Sequence, residues 1–266
     1  MPKIIANKIS IHYEERGAGQ PVLFIGGTGA DLRAKPNVLD GPLPKTRRVI
    51  VYDQRGLGQT DKPNIDYSMS DYADDAAAIV KALDCNHLDV IGVSFGGMVA
   101  LHLALRHPEV VGKLVLCCTS SGGDYSSYPF HELPEDLSAE QRLRTLMPVN
   151  DTRRDQKWQE EHPEIVASML EYTKAHAIED HATPEFKQGA RRQLVARSQH
   201  DVQQRLGEIT AETLICAGKY DAIAPSENQH ALRSGLKNSE LKWYEGGHLF
   251  LTQDKQALQD IVAFMG

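Results

Sequence analysis

Cysteine is scarce in this chain: Cys85, Cys117, Cys118 and Cys216 are the only four in 266 residues. Two are neighbours in the apolar run KLVLCC, where side chains rarely bond to each other, and no CxxC pair occurs. The thiols therefore read as buried and reduced, as in a cytoplasmic protein. Long apolar runs are also missing. No stretch approaches the ~18 residues that a membrane span needs, and the opening MPKIIANKIS lacks the apolar segment of a signal peptide. A soluble protein with no membrane partner is expected. Positive charge is in deficit, 29 Lys and Arg against 36 Asp and Glu, for a net −7. Phosphate backbones call for clustered bases, so nucleic acid is not an expected partner. The doublets Arg47-Arg48, Arg153-Arg154 and Arg191-Arg192 read as solvated faces.

Two cofactor signatures are incomplete. GGTGAD follows an apolar run, as a phosphate loop would. Counted from Gly27, however, G-x-G-x-x-G meets Leu32 at its last place, and no G-K-[ST] is present. HELPE at 131–135 would need a histidine where Glu135 stands to form a zinc helix. No nucleotide, metal or other cofactor is expected.

What is present is an alternation of short apolar runs and helical patterns. The composition, 41% hydrophobic, allows a sizeable core. KIIANKISIHYEE reads as a hairpin turning at Asn7-Lys8. PVLFIGG, RRVIVYD, LDVIGV and KLVLCC read as strands, separated by the helical patterns SDYADDAAAIVKALD and GGMVALHLALRHP. Such alternation indicates a mostly parallel sheet with helices on both faces, an α/β fold. From about 124 to 205 the chain turns charged and helical, with no strand pattern. SAEQRLRTLM opens with capping-box spacing, Ser138 to Gln141, and PEIVASMLEYTKAH puts Ile165, Met169 and Tyr172 on one face. The alternation then resumes with TLICAG, SENQHALRSG (Ser226 and Gln229 as another capping-box pair), LKWYEGG and DKQALQDIVAFM. The predicted organisation is a core in two parts, 1–123 and 206–266, interrupted by a helical insert, 124–205.

GVSFGG at 92–97 fits G-x-S-x-G, and it lies between a strand run and a buried helix. That is the setting of a nucleophile elbow, a strained turn that lifts the Ser94 hydroxyl at the carboxyl end of the sheet and at a helix N-terminus. Side chains at 92 and 96 would collide with the neighbouring strand and helix. A serine hydroxyl is a weak nucleophile without a base, which is normally a histidine oriented by a carboxylate. AGKYDAIAP supplies Asp221 and WYEGGHLF supplies His248, each in a loop just after a strand run. The order Ser, Asp, His is the one this architecture uses. Asp124, after KLVLCC, is the alternative acid. His107, His131 and His162 sit among charged or proline neighbours and read as surface residues.

These motifs together resemble the α/β-hydrolase superfamily over essentially the whole chain, with the insert in the place of its variable cap. VYDQRGLGQTDKP, residues 51 to 63, is similar to the family's D-x-R-G-x-G-x-S turn, with Thr60 for the usual serine; Asp53 and Arg55 would then hold the turn. GKYDAIAP resembles the acid loop and GGHLF the histidine loop. GGTG at 26–29 takes the place of H-G-x-x, with Gly26 for histidine. The resemblance implies an oxyanion hole made of the backbone N–H groups of Thr28 and Phe95. FIGGTGADL is similar to the matching stretch of 3-oxoadipate enol-lactone hydrolases and related small-ester hydrolases.

A serine at the elbow sets aside haloalkane dehalogenases and epoxide hydrolases, whose nucleophile is aspartate. The resemblance then implies hydrolysis of a small carboxylic ester or lactone through an acyl-enzyme. Relatives with the same triad cleave carbon–carbon bonds, act as cofactor-free perhydrolases, acyltransferases or hydroxynitrile lyases, or serve as hormone receptors. Gly27 and the insert's apolar Leu143, Leu146, Met147 and Trp158 are the expected pocket residues. An arginine of the insert facing that pocket would point to a carboxylated substrate.

Overall fold

The computed structural model describes residues 2–266. Eight strands form one sheet: β1 (Lys3–Ala6), β2 (Ile9–Arg16), β3 (Pro21–Ile25), β4 (Arg48–Tyr52), β5 (Leu88–Val93), β6 (Val111–Cys117), β7 (Thr213–Gly218) and β8 (Ser239–Tyr244). Their order is β1-β2-β4-β3-β5-β6-β7-β8, and all neighbours from β4 to β8 are parallel. The first two strands form the expected hairpin, with Asn7 and Lys8 at φ 48° and 67°, the left-handed pair that a tight two-residue turn requires.

Alternation along the strands sorts side chains to two faces. Leu23, Ile50, Val90, Leu114 and Leu116 meet α1 (Met69–Ala82) and α2 (Phe95–Arg106) on one side. Val22, Val49, Val51, Ile91, Val115 and Cys117 meet the closing helix, Lys255–Met265, on the other. Helix α2 is mostly apolar, and nine of its twelve residues are buried. Each large side chain it buries contributes about 1.5–3 kcal/mol. Because β3 is flanked by β4 on one side and β5 on the other, the chain reverses its direction of travel across the sheet there. The crevice outside the strand ends at such a switch point is where open α/β sheets bind ligands. The loops after β3 and β5 carry 26–29 and Ser94.

Between β6 and β7 the ordered elements are helical: α3 (Ala139–Asn150), α4 (Gln156–Glu161), α5 (Pro163–Ala175) and α6 (Pro184–Ser198), with short 3-10 turns. The Ser138–Gln141 capping box forms in both directions. Pro148 sits inside α3 and offers no N–H to the carbonyl of Arg144. The buried Gln159 of α4 donates to that carbonyl instead, at 3.2 Å.

The second expected capping box does not form. Helix α7 (Ser226–Gly235) has Pro225 at its N-cap, and the fully buried Gln229 side chain donates to the carbonyls of Thr119 and Ala224. Burial outcompetes the local cap, because the amide must be satisfied where it lies. The face of α5 marked by Ile165 and Tyr172 looks outward, with those residues 40% and 56% exposed. Arg47 is not a solvated residue. It is 4% exposed, bonds to the carbonyl of Gly266 and lies 3.8 Å from Asp89.

Three further histidines leave the surface. His12 is fully buried, and His102 on α2 shares a 3.1 Å hydrogen bond with the buried His200, whose other nitrogen meets the carbonyl of Ser120 at 2.9 Å. Burial above all, with arginines nearby, holds His102 down to about 3 and His200 down to about 4, the latter against the bond to Ser120 O, which raises it. Both stay neutral in the fold while the unfolded chain protonates them below pH ~6.5. Stability should therefore fall as pH drops from ~6.5 toward ~4.5, by up to ~1.4 kcal/mol per pH unit per histidine. Denaturant unfolding at pH 7.5 and pH 5 is the measurement. A His102→Gln variant should lose less stability across that interval, and an unchanged loss would remove the pair as the cause.

Candidate active site

Ser94 stands between β5 and α2 at φ 55°, ψ −117°, a strained conformation for a residue with a Cβ. Its surroundings over-determine it. The Ser94 N–H donates to Cys117 O at 2.8 Å, and its carbonyl accepts from Thr119 Oγ1 at 2.7 Å and Gly97 N at 2.9 Å. A Cβ at Gly96 would overlap the carbonyl oxygens of Ile25 and Gly26, so the turn tolerates only glycine there.

The hydroxyl of Ser94 donates to His248 Nε2 at 2.9 Å, and His248 Nδ1 donates to Asp221 Oδ2 at 2.8 Å. The other oxygen, Asp221 Oδ1, accepts the N–H groups of Ile223 and Ala224 at 2.8 and 3.1 Å. The carboxylate is thus held in place, its bond to Nδ1 orients the imidazole, and Nε2 faces the serine hydroxyl, where it can accept a proton. Asp124, by contrast, is exposed in the loop after β6 and takes no part in this chain.

The insert holds these loops in place. The last turn of α3 and the residues after it accept or donate at three points: His248 N to Asn150 O, 2.6 Å; Ala222 N to Val149 O, 3.1 Å; and Thr152 N to Tyr220 O, 2.9 Å. On the other flank the loop 26–29 lies against the elbow, where a Cβ at Gly27 would come 3.5 Å from Ser94 Cβ. Gln54 Nε2 donates to Gly26 O at 2.9 Å, and Gln193 Oε1 accepts from Gly29 N at 2.9 Å. Among the described residues the N–H groups of Thr28 and Phe95 donate to no protein acceptor. One of these donors follows Ser94 directly in the chain and the other lies on the loop packed against the elbow, and unengaged backbone N–H groups are the kind of donor that can receive a developing negative oxygen.

The D-x-R-G turn is structural. Asp53 Oδ1 and Oδ2 accept from Leu32 N and Gln59 N, and Thr60 Oγ1 donates to Asp53 O at 2.6 Å, in the role expected of a serine. Burial pushes the Asp53 carboxyl up despite these bonds. Arg55 does not pair with Asp53; it grips Asp75 of α1 at 2.6 and 2.7 Å.

The expected pocket residues are only partly gathered. Met147 is buried, and Leu143 and Leu146 are half-buried on the same helix, α3. The Trp158 ring stacks on His162 with centroids 4.4 Å apart. Among the arginines of the insert, Arg144 pairs with Glu140 and Arg153 with Asp151, while Arg142 and Arg154 reach Pro134 O and the Trp158 ring. The buried one is Arg197 of α6, which sequence reasoning passed over. It donates to Tyr128 O and Ser127 Oγ and lies over Phe130, and burial lowers it to about 10. The cavity of about 220 Å³ that it borders is also walled by Ser120, Tyr128 and His200, and neither Ser94 nor His248 reaches it. Arg197 is therefore a strut for the loop after β6 rather than a clamp at the serine. Cys118, Asp221 and His248 form the one group among the described residues whose ligand atoms lie within 4.8 Å of one another, as a metal would require. Imidazole and carboxylate there are already bonded to each other, an arrangement built for a proton.

This sheet order, elbow and Ser–His–Asp chain define an enzyme fold of the α/β-hydrolase class, and the family model described as alpha/beta hydrolase fold matches residues 20–254. The chain belongs to that family. It is similar to a protein named as carbamate hydrolase RutD from Variovorax paradoxus, 32% identical over 90% of this chain and 89% of the relative. A 2-hydroxymuconate semialdehyde hydrolase from Pseudomonas sp. (strain CF600) is 39% identical over 43% of this chain and 41% of its own length. Among solved structures, the enol-lactonase from Burkholderia xenovorans LB400 superposes with a TM-score of 0.78 at 20% identity, covering 99% of each chain. No helix among the described residues is long and apolar enough to cross a membrane.

Proposed function

We propose that this chain is a serine hydrolase that cleaves a small carboxylic ester or lactone through an acyl-enzyme intermediate. The observation that carries the reading is the unbroken chain Asp221–His248–Ser94, with both bonds under 3 Å. Ser94 Oγ attacks the carbonyl carbon as His248 Nε2 takes its proton. The oxyanion rests on the N–H groups of Thr28 and Phe95. The tetrahedral intermediate collapses as His248 protonates the leaving oxygen. Water, deprotonated by the same nitrogen, then releases the acid and restores the serine. Asp221 holds the tautomer and stabilises the imidazolium. Segment 124–205 acts as the cap that selects the substrate, with Gly27, Leu143, Leu146, Met147 and Trp158 as its proposed lining.

The similarity to a 2-hydroxymuconate semialdehyde hydrolase favours one second reading, hydrolysis of a carbon–carbon bond on the same triad. The experiment treats the purified protein with p-nitrophenyl esters of graded chain length, with a dienoic ring-fission product, and with a fluorophosphonate probe. Ester turnover together with a label on the Ser94 peptide supports the first reading. Rapid loss of the dienoate with slow ester turnover supports the second. An unlabelled Ser94 with neither substrate consumed would sink both.

A further inference from the structure

We propose that Gln193, a residue of the inserted helix α6, is a positioning residue of the oxyanion hole: its carboxamide fixes the loop that carries the Thr28 N–H, so that the rate of acyl transfer depends on where α6 sits. This rests on the hydrolase reading given above.

The bond itself is specific. Gln193 Oε1 accepts from Gly29 N at 2.9 Å, across 164 residues of sequence. Gly29 adopts φ +72°, so the loop turns sharply directly after Thr28 and its path depends on what holds that turn. Gln193 is fully buried, and its Nε2 finds no partner among the described residues. A buried amide with one end idle is a cost that an apolar side chain of the same size would avoid. What the amide provides in return is the bond to Gly29. Gln54 grips the same loop from the core side through Gly26 O at 2.9 Å, so two carboxamides span the four residues 26–29.

Helix α6 is itself seated rigidly enough to act as a reference. Gly189 packs on Gly56 so closely that a Cβ on it would overlap the Gly56 carbonyl oxygen. One turn on, Arg192 Nη1 donates to Pro63 O at 2.9 Å. A second tie runs from the insert to the far end of the same loop. His181 Nε2 meets Asp31 Oδ2 at 3.0 Å, and Arg33 bridges Asp31 and Asp180. The loop is therefore attached to the insert on both sides of its turn, through Gln193 at Gly29 and through His181 and Asp180 at 31–33. An oxyanion donor works only when aimed at the place the oxygen occupies in the transition state, and a displacement of about 1 Å can cost about 10²-fold in rate.

The test compares Gln193→Met, which keeps the length but not the acceptor, with Gln193→Glu, which keeps the acceptor. Both are assayed on a p-nitrophenyl ester and on its thionoester, whose sulfur is a poor acceptor for the same N–H groups. Gln193→Met should lower kcat about 10- to 100-fold with KM within about threefold, and should shrink the preference for the carbonyl ester. Gln193→Glu should recover most of kcat and of that preference. Wild-type kcat in Gln193→Met would overturn the inference and leave the hydrolase reading intact. So would a loss that is equal for both esters and tracks a fall in melting temperature that Gln193→Glu shares, since that marks a purely structural residue. A wild-type protein that turns over no ester and whose Ser94 takes no fluorophosphonate would overturn the hydrolase reading, and the inference with it.

Discussion

Replacing Ser94 with alanine is expected to lower kcat for a p-nitrophenyl ester about 10⁵- to 10⁶-fold, a loss of roughly 7–8 kcal/mol of transition-state stabilisation. The size follows from the mechanism proposed for the site. Without Oγ there is no acyl-enzyme, and His248 can only direct a water whose position nothing fixes. The substitution is a clean probe, because alanine keeps the Cβ and takes over the same φ of 55° and the same backbone bonds to Cys117, Gly97 and Thr119. The melting temperature should stay within a degree or two. Residual catalysis over water should remain, because the Thr28 and Phe95 N–H groups are untouched. Steady-state kinetics on both proteins, with the fluorophosphonate label as control, decides the matter. A variant within tenfold of the wild type would show that the hydroxyl is not the nucleophile.

Asp221→Asn is expected to cost about 10³- to 10⁴-fold in kcat, roughly 4–5.5 kcal/mol. The two backbone donors, Ile223 N and Ala224 N, claim the remaining carbonyl oxygen of the asparagine. Its NH₂ then faces His248 Nδ1, which must become the acceptor. The ring's proton moves to Nε2, and Ser94 loses its base while every heavy atom stays in place. The smaller penalty relative to Ser94→Ala is itself diagnostic, because the nucleophile remains and hydroxide at high pH can recover part of the rate. Activity profiles from pH 6 to 10 with unfolding curves test this. Full activity in Asp221→Asn would pass the role to another carboxylate. Asp124 is exposed and outside the hydrogen-bonded chain, so it is a poor substitute.

Several features were legible because they are local. The elbow, with glycines at 92 and 96 around Ser94, follows a strand run and precedes a helix within a dozen residues, and backbone sterics dictate each glycine. Asp221 and His248 could be chosen because each follows a strand directly. The Ser138–Gln141 box formed because both partners lie on one exposed turn. Its counterpart at Ser226–Gln229 did not form, because that glutamine is buried against Thr119 O, 110 residues away. Arg47, in a basic doublet, reads as solvated, and nothing local in the sequence marks His12 or His200 as buried. Each is buried because of what packs on it from distant parts of the chain.

The sequence by itself determined the α/β alternation, the candidates Ser94 and His248 with Asp221 and Asp124 as the two acids on offer, and the helical character of the insert. Strand runs, glycine turns and capping pairs act over a few residues, and one strand end after another brings such loops to the same edge of a parallel sheet. The tertiary structure alone decided which carboxylate meets His248, that α3 is stitched to the acid and histidine loops, and that α6 reaches Gly29 through Gln193. It also decided that the one buried arginine of the insert braces a loop instead of facing the serine. Those choices depend on how segments about 30 to 160 residues apart dock, and on which polar groups the docking buries. A buried donor or acceptor must then find its partner in space rather than along the chain.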